Sequence, residues 1–161
     1  MIDLSRPCAT IAQAAEIAGR PYMTLGGWLA RGALIGEADE DKRERKGRGA
    51  VRLLTGRRVL QAVIVARLDD LGVLPGKGGW AAARFTDAGT AQRLPGCLFG
   101  RGQQTLLVVP PGEALAQVVA VGATAPLPAL FAAGQSGGTV LWLDRIVPDA
   151  LAKLAALDGA Q

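Results

Sequence analysis

Between residues 42 and 58 the chain reads KRERKGRGAVRLLTGRR, with eight Lys or Arg and a single acid, Glu44. Burying that many like charges without partners is prohibitive, so the stretch has to run along the surface and the fold has to be built around it. Gly47 and Gly49 permit a bend, and residues 50–54 are apolar enough to return to a core. Two short helical patterns precede it and a long one follows.

With 161 residues, half of them hydrophobic, the chain suits one ordinary domain or two small ones. That apolar share argues against wholesale disorder. The formal charge of +4 is unevenly spread: residues 1–72 carry 12 basic and 9 acidic groups, residues 73–161 carry 6 and 5. Glu37, Asp39, Glu40 and Asp41 sit directly before the basic run. A solvated, self-neutralising loop is the plain reading of such neighbours. The surplus of cations favours a surface that follows a polyanion. Cys8 and Cys97 are too few and too far apart for a metal cluster and read as reduced thiols. No stretch approaches the roughly 18 unbroken apolar residues of a membrane helix, so a cytoplasmic protein without membrane partners is expected.

Thr10 is placed to cap a helix over residues 11–18, where Ile11, Ala14, Ala15 and Ala18 recur at helical spacing and Gly19 supplies the stop. Pro21 sets the turn. A second helix is expected over residues 24–31, with Leu25, Trp28 and Leu29 on its apolar face and Gly32 closing it. Two short helices joined this tightly form a helix-turn-helix pattern. Trp28 is assigned to the core. The open side should show Thr24, Gly27 and Arg31, with Arg20 and Tyr22 at its start, where bases and phosphates would be met. Residues 35–52 fit a wing, leaving the core near Leu34 and Ile35 and returning through residues 50–54. Arg43, Arg45, Lys46, Arg48 and Arg52 would then face phosphates or a narrow minor groove. A helix over residues 55–71 should carry an apolar stripe with a solvated edge. Arg57 and Arg58 in its first turn oppose the helix dipole, a conflict that a bound phosphate would remove.

In this order, TIAQAAEIAG, RPY, MTLGGWLARGAL, a charged loop and AVRLLTGRRVLQAVIVARLDDLGV resemble the MerR-type winged helix-turn-helix domain over about residues 9–88. Trp28 stands at the family's aromatic position, Gly32 and Leu34 at its closure, Arg52 on the return strand, and Leu71-Gly72-Val73 at the helix end. The resemblance implies a double-stranded DNA-binding head with Thr24, Arg31, Arg48 and Arg52 facing the duplex. It does not extend to the long dimerisation helix of many such regulators.

Residues 75–79, PGKGG, read as a flexible loop and the best boundary, dividing a winged head (1–74) from a small mixed module (75–161). The G-x-x-x-x-G-K-[ST] order of a phosphate loop is missing. A helix is expected over 80–91 with Trp80 in the core. A hairpin is expected from 97–100 and 105–109, a mainly helical stretch at 113–121, and a helical turn at 127–133. A strand at 138–143, GTVLWL, precedes a final helix at 148–157. Paired across a two-fold axis, that strand would give a homodimer or higher homo-oligomer through residues 75–161.

The chain has no histidine, no serine or cysteine in a nucleophile motif, and only scattered acids; adjacent Asp69 and Asp70 should point to different sides of their helix. No catalytic residue, metal or cofactor is therefore assigned. The expected architecture is α+β, a winged helix-turn-helix followed by the mixed module. The expected function is sequence-preferring binding of double-stranded DNA, as in a transcription regulator. A phage-type DNA-packaging or recombination accessory, or a protein-interaction adaptor that binds no DNA, are the alternatives.

Overall fold

Strand β1 (Pro7–Thr10) leads straight into helix α1 (Ile11–Ala18), and Thr10 ends one and caps the other. Its hydroxyl accepts the Gln13 N–H, while the Gln13 side-chain oxygen accepts the Thr10 N–H. This reciprocal cap satisfies two backbone donors that a helix start leaves open. Gly19, at φ 66°, closes α1 in the left-handed conformation. Helix α2 (Tyr22–Ala30) follows after Pro21 and buries Leu25 and Trp28. Its two glycines weaken it locally, so burial of that face has to hold it. The computed structural model describes residues 3–36, 42–46, 49–122, 124 and 137–158.

The cationic stretch forms two antiparallel strands, β2 (Lys42–Lys46) and β3 (Gly49–Thr55). The return through residues 50–54 is as expected. The outward strand is not at Leu34 and Ile35, which lie outside any strand. β3 also pairs with β1, giving a three-stranded sheet in the order β1-β3-β2. β1 escapes a periodicity search because four residues beginning with proline carry almost no alternation.

Helix α3 (Gly56–Asp70) is the centre of the molecule. It packs against α1, β1 and β3, and against two later helices, α4 (Pro75–Thr86) and α5 (Val147–Asp158). Val59, Leu60, Ala62, Val63, Ile64, Val65, Ala66 and Leu68 are all buried. A stripe with a solvated edge was expected, but neighbours enclose the helix on nearly every side. VLQAVIVA contains no charge that would require one side to stay wet. Its one polar residue, Gln61, donates to Thr86 Oγ1 (3.1 Å) and Asp87 Oδ2 (2.7 Å).

The expected flexible boundary at 75–79 is instead the first turn of α4, with Pro75 at the start of the helix. The reason is a close approach: a Cβ on Gly79 would fall 1.7 Å from the Ala33 carbonyl oxygen. The glycines here let a helix press against the chain that leaves α2. Trp80, assigned to the core, is 67% exposed, because α4 turns Ala81, Ala82 and Phe85 inward instead.

Residues 97–100 form no strand; Arg93 organises this region. Its guanidinium donates to the carbonyls of Phe85, Arg84, Ala88, Leu94 and Cys97 and lies over the rings of Phe85 and Phe99. Burial pushes its pKa down, and the ring of carbonyl oxygens compensates the buried charge. Strand β4 (Gln103–Val109) then lies between β5 (Gln117–Gly122) and β6 (Thr139–Trp142) in an antiparallel sheet ordered β5-β4-β6. β5 overturns the helical reading of 113–121: Val118, Val119 and Val121 pair along β4, where β-branched side chains fit better than in a helix. The strand at GTVLWL and the final helix match expectation. The turn expected at 127–133 lies outside the described residues.

The architecture is α+β, with five α-helices and two three-stranded sheets among the described residues. One apolar core contains Trp28, Ile64, Phe85, Leu107, Leu141 and Leu154 and so draws on both sides of residue 74. Among the described residues, no helix is long and apolar enough to cross a membrane.

Gly79→Ala should destabilise the protein by about 1–3 kcal/mol, because a backbone carbonyl rather than a flexible side chain occupies the space. Gly76→Ala, where a Cβ meets nothing within 4 Å, should be neutral or better. Urea unfolding of the two variants checks the pair, and equal midpoints would contradict the close packing.

Candidate nucleic-acid interface

The strand pair β2–β3 fixes where the cations stand. Its register sets Arg43 opposite Arg52 and Arg45 opposite Ala50. In an antiparallel pair, directly opposed positions share a face, so positions 43, 45 and 52 lie on the same side of the ribbon. Lys46 closes β2 opposite Gly49. Arg52 is half-buried and has partners within the molecule. Arg48 and the acidic residues 37–41 lie outside the described residues.

On α2 the open side holds Tyr22 (54% exposed), Met23 (78%) and, at the helix end, Arg31. Thr24 and Gly27 are half-buried. The Arg31 guanidinium lies over Gly27, since a Cβ there would come 3.2 Å from its Nη1. Glycine at 27 therefore gives the arginine a resting place along its own helix. Met23 was not among the expected contacts. The signal available for it was its place off the Leu25, Trp28 and Leu29 face.

Three of the expected phosphate ligands make contacts within the molecule. Arg20 donates to the Ala66 carbonyl (2.6 Å), Asp70 Oδ1 (2.6 Å) and Asp69 Oδ2 (3.3 Å), clasping the α1–α2 turn to the end of α3. The two carboxylates, expected on different sides of the helix, converge on one guanidinium lying across its C-terminal end. That end of a helix also favours a cation. Arg58 is buried and donates to the Leu34 carbonyl. It faces the interior. Arg57 is half-buried, with Nη1 3.9 Å from Asp87 Oδ1. The dipole conflict in the first turn of α3 is thus eased by an internal carboxylate and an inward turn, without requiring a phosphate.

The two groups of candidates therefore separate. Arg20 and Arg58 tie the α1–α2 turn and the exit from α2 to α3, and Arg57 links α3 to the end of α4. Tyr22 and Arg31 are exposed, and positions 43, 45, 46 and 52 lie in the β2–β3 strands. Among the described residues no group of three or more His, Cys, Asp or Glu is arranged to hold a metal ion.

No protein-family model matches the chain, and no curated protein matches it.

The hydrogen bond from Arg20 holds the Asp70 carboxyl below the usual carboxylate range. A depressed carboxylate pKa contributes stability that is present above the unfolded value, near pH 4, and is lost as pH falls through the folded value. Asp70→Asn should therefore flatten the fall in stability below about pH 4. Arg20→Ala also loses the bond to the Ala66 carbonyl and should cost about 1–3 kcal/mol at neutral pH. Thermal unfolding of both variants across the acid range checks the assignment, and an unchanged acid slope in Asp70→Asn would remove it.

Proposed function

We propose that the protein binds double-stranded DNA through a winged helix-turn-helix head of the MerR-like kind, as a transcription regulator. The observation that carries the reading is β2, KRERK, paired with β3 so that Arg43 opposes Arg52. Four cations in five residues on a two-stranded ribbon suit the phosphate spacing of a duplex. A tight pair of helices supports it, with Tyr22, Met23 and Arg31 on the outer side of the second.

In this reading α2 enters the major groove. The half-buried Thr24, Gly27 at its resting arginine, and exposed Arg31 and Tyr22 line the approach. Small residues at Gly26 and Gly27 bring the helix backbone near the base edges but supply few long polar groups. Sequence preference from α2 is consequently modest, and the ribbon supplies most of the affinity. Arg43, Arg45, Lys46 and Arg48 take phosphates, with Arg52 opposite Arg43 on the return strand. Arg20, Arg57 and Arg58 support the head from inside.

Self-association would use the second sheet. β6 is an edge strand and Trp142 on it is 38% exposed, stacked by Arg145 at 4.9 Å. Pairing of two β6 edges across a two-fold axis would join two heads and raise their effective concentration on one site.

The combined variant Arg45→Ala, Lys46→Ala, Arg48→Ala should weaken binding to all duplex sequences alike. It should also reduce the slope of log K against log salt by about 2–3. Selection of bound fragments from genomic DNA, followed by salt titration on the best and a scrambled duplex, measures both. Undiminished affinity in the triple variant would sink the ribbon assignment, and no duplex binding at low salt would sink the function.

A further inference from the structure

A groove runs along α4, lined by residues that the proposed DNA interface does not include. One wall is the α4 face that carries Lys77, Trp80, Ala81 and Arg84, at positions three, four and seven residues apart. The other is the segment after Pro110-Pro111, where Glu113 and Leu115 stand at the rim. The cavity between them is about 540 Å³, and its floor of Ala81, Val109 and Ala116 is buried. Lys77 Nζ donates to the Pro110 and Gly112 carbonyls, so the two walls are tied together and the groove exists before anything enters it. A second cavity of about 280 Å³ shares Lys77 and Val109 and continues to Leu74. From Leu74 to Arg84 the trough follows α4 for roughly 15 Å, at the rise of an α-helix.

Three features decide what fits. The trough is elongated and open, and Trp80, Leu115 and Leu74 line it at 67%, 74% and 77% exposure. Large apolar side chains spaced along a groove suit a chain with several anchors, and tryptophan is the residue most often found at such anchors. The rim is cationic: Arg84 makes no ion pair among the described residues, and Lys77 is held by carbonyls rather than by a carboxylate. Glu113 is the one acid on the lining. Each copy brings two cations and one acid to this face, so two copies would meet with an excess of positive charge that an acidic partner neutralises better. We propose that this groove docks an amphipathic segment of another protein, with apolar anchors on one face and Asp or Glu on the flank that meets Arg84.

A random displayed-peptide library panned on the full-length protein without nucleic acid tests this, with the Trp80→Ala, Arg84→Glu double variant as counter-target. Failure here leaves the DNA reading untouched, and failure to bind duplex leaves this one untouched. Enriched sequences should combine Leu, Phe or Trp at helical spacing with Asp or Glu. A synthetic peptide of the best sequence should lose about tenfold or more in affinity against Trp80→Ala. Arg84→Glu should shift preference toward a version with Lys in place of the acids. Both side chains are exposed, so the variants should keep the unfolding midpoint of the parent. Basic or uncharged winners, equal binding to the double variant, or no enrichment would overturn the proposal. So would sedimentation showing that Trp80→Ala dissociates a homodimer, or quenching of Trp80 by 2-naphthoate without any response to the peptide.

Discussion

The enclosure of α3 is the constraint on which the other elements depend. A helix with almost no charge through its middle has to be covered on every side, and no single neighbour is wide enough. The chain covers it with α1 and β1 from before the helix and with α4 and α5 from after it. Burial of eight aliphatic side chains there outweighs the local weakness of the elements that do the covering. Two glycines in α2 and four residues in β1 would hold little by themselves.

Charge is arranged around that centre in two ways. Arg20, Arg58 and Arg93 use the planar fork of the guanidinium to collect backbone carbonyls where segments end. They act as fasteners: Arg20 at the close of α3, Arg58 at the exit from α2, Arg93 at the close of α4. Arginine is suited to this because several donors point in one plane and its charge persists at a buried site. The ribbon cations follow a different logic. They stand in a strand pair whose register fixes their backbone positions, and Arg52 there has partners within the molecule.

The same contrast bears on how the two halves cooperate. Gly79 against Ala33, and Gln61 reaching Thr86 and Asp87, join α4 closely to the head. A partner seated along α4 would therefore press on an element in direct contact with the exit of α2. This gives the groove and the proposed DNA-facing helix a short physical connection through Ala33 and Leu34.

Local chemistry alone determined a good deal of this protein. Thr10 with Gln13, Gly19 and Gly32 bound the first two helices, and uninterrupted aliphatic spacing revealed α3. GTVLWL announced β6. These signals are contained within a few residues, so they can be read without knowing what lies nearby. Tertiary contact decided the rest. PGKGG became a helix only because Ala33 waits against it, and PCAT became a strand only because β3 has an open edge. Residues 117–122 became a strand because β4 offers a partner, and Trp80 was turned outward by alanines that fit the core better. Which arginines bind inward and which stay on the ribbon likewise depends on carbonyls and carboxylates far away along the chain. A guanidinium looks the same in sequence whichever it serves.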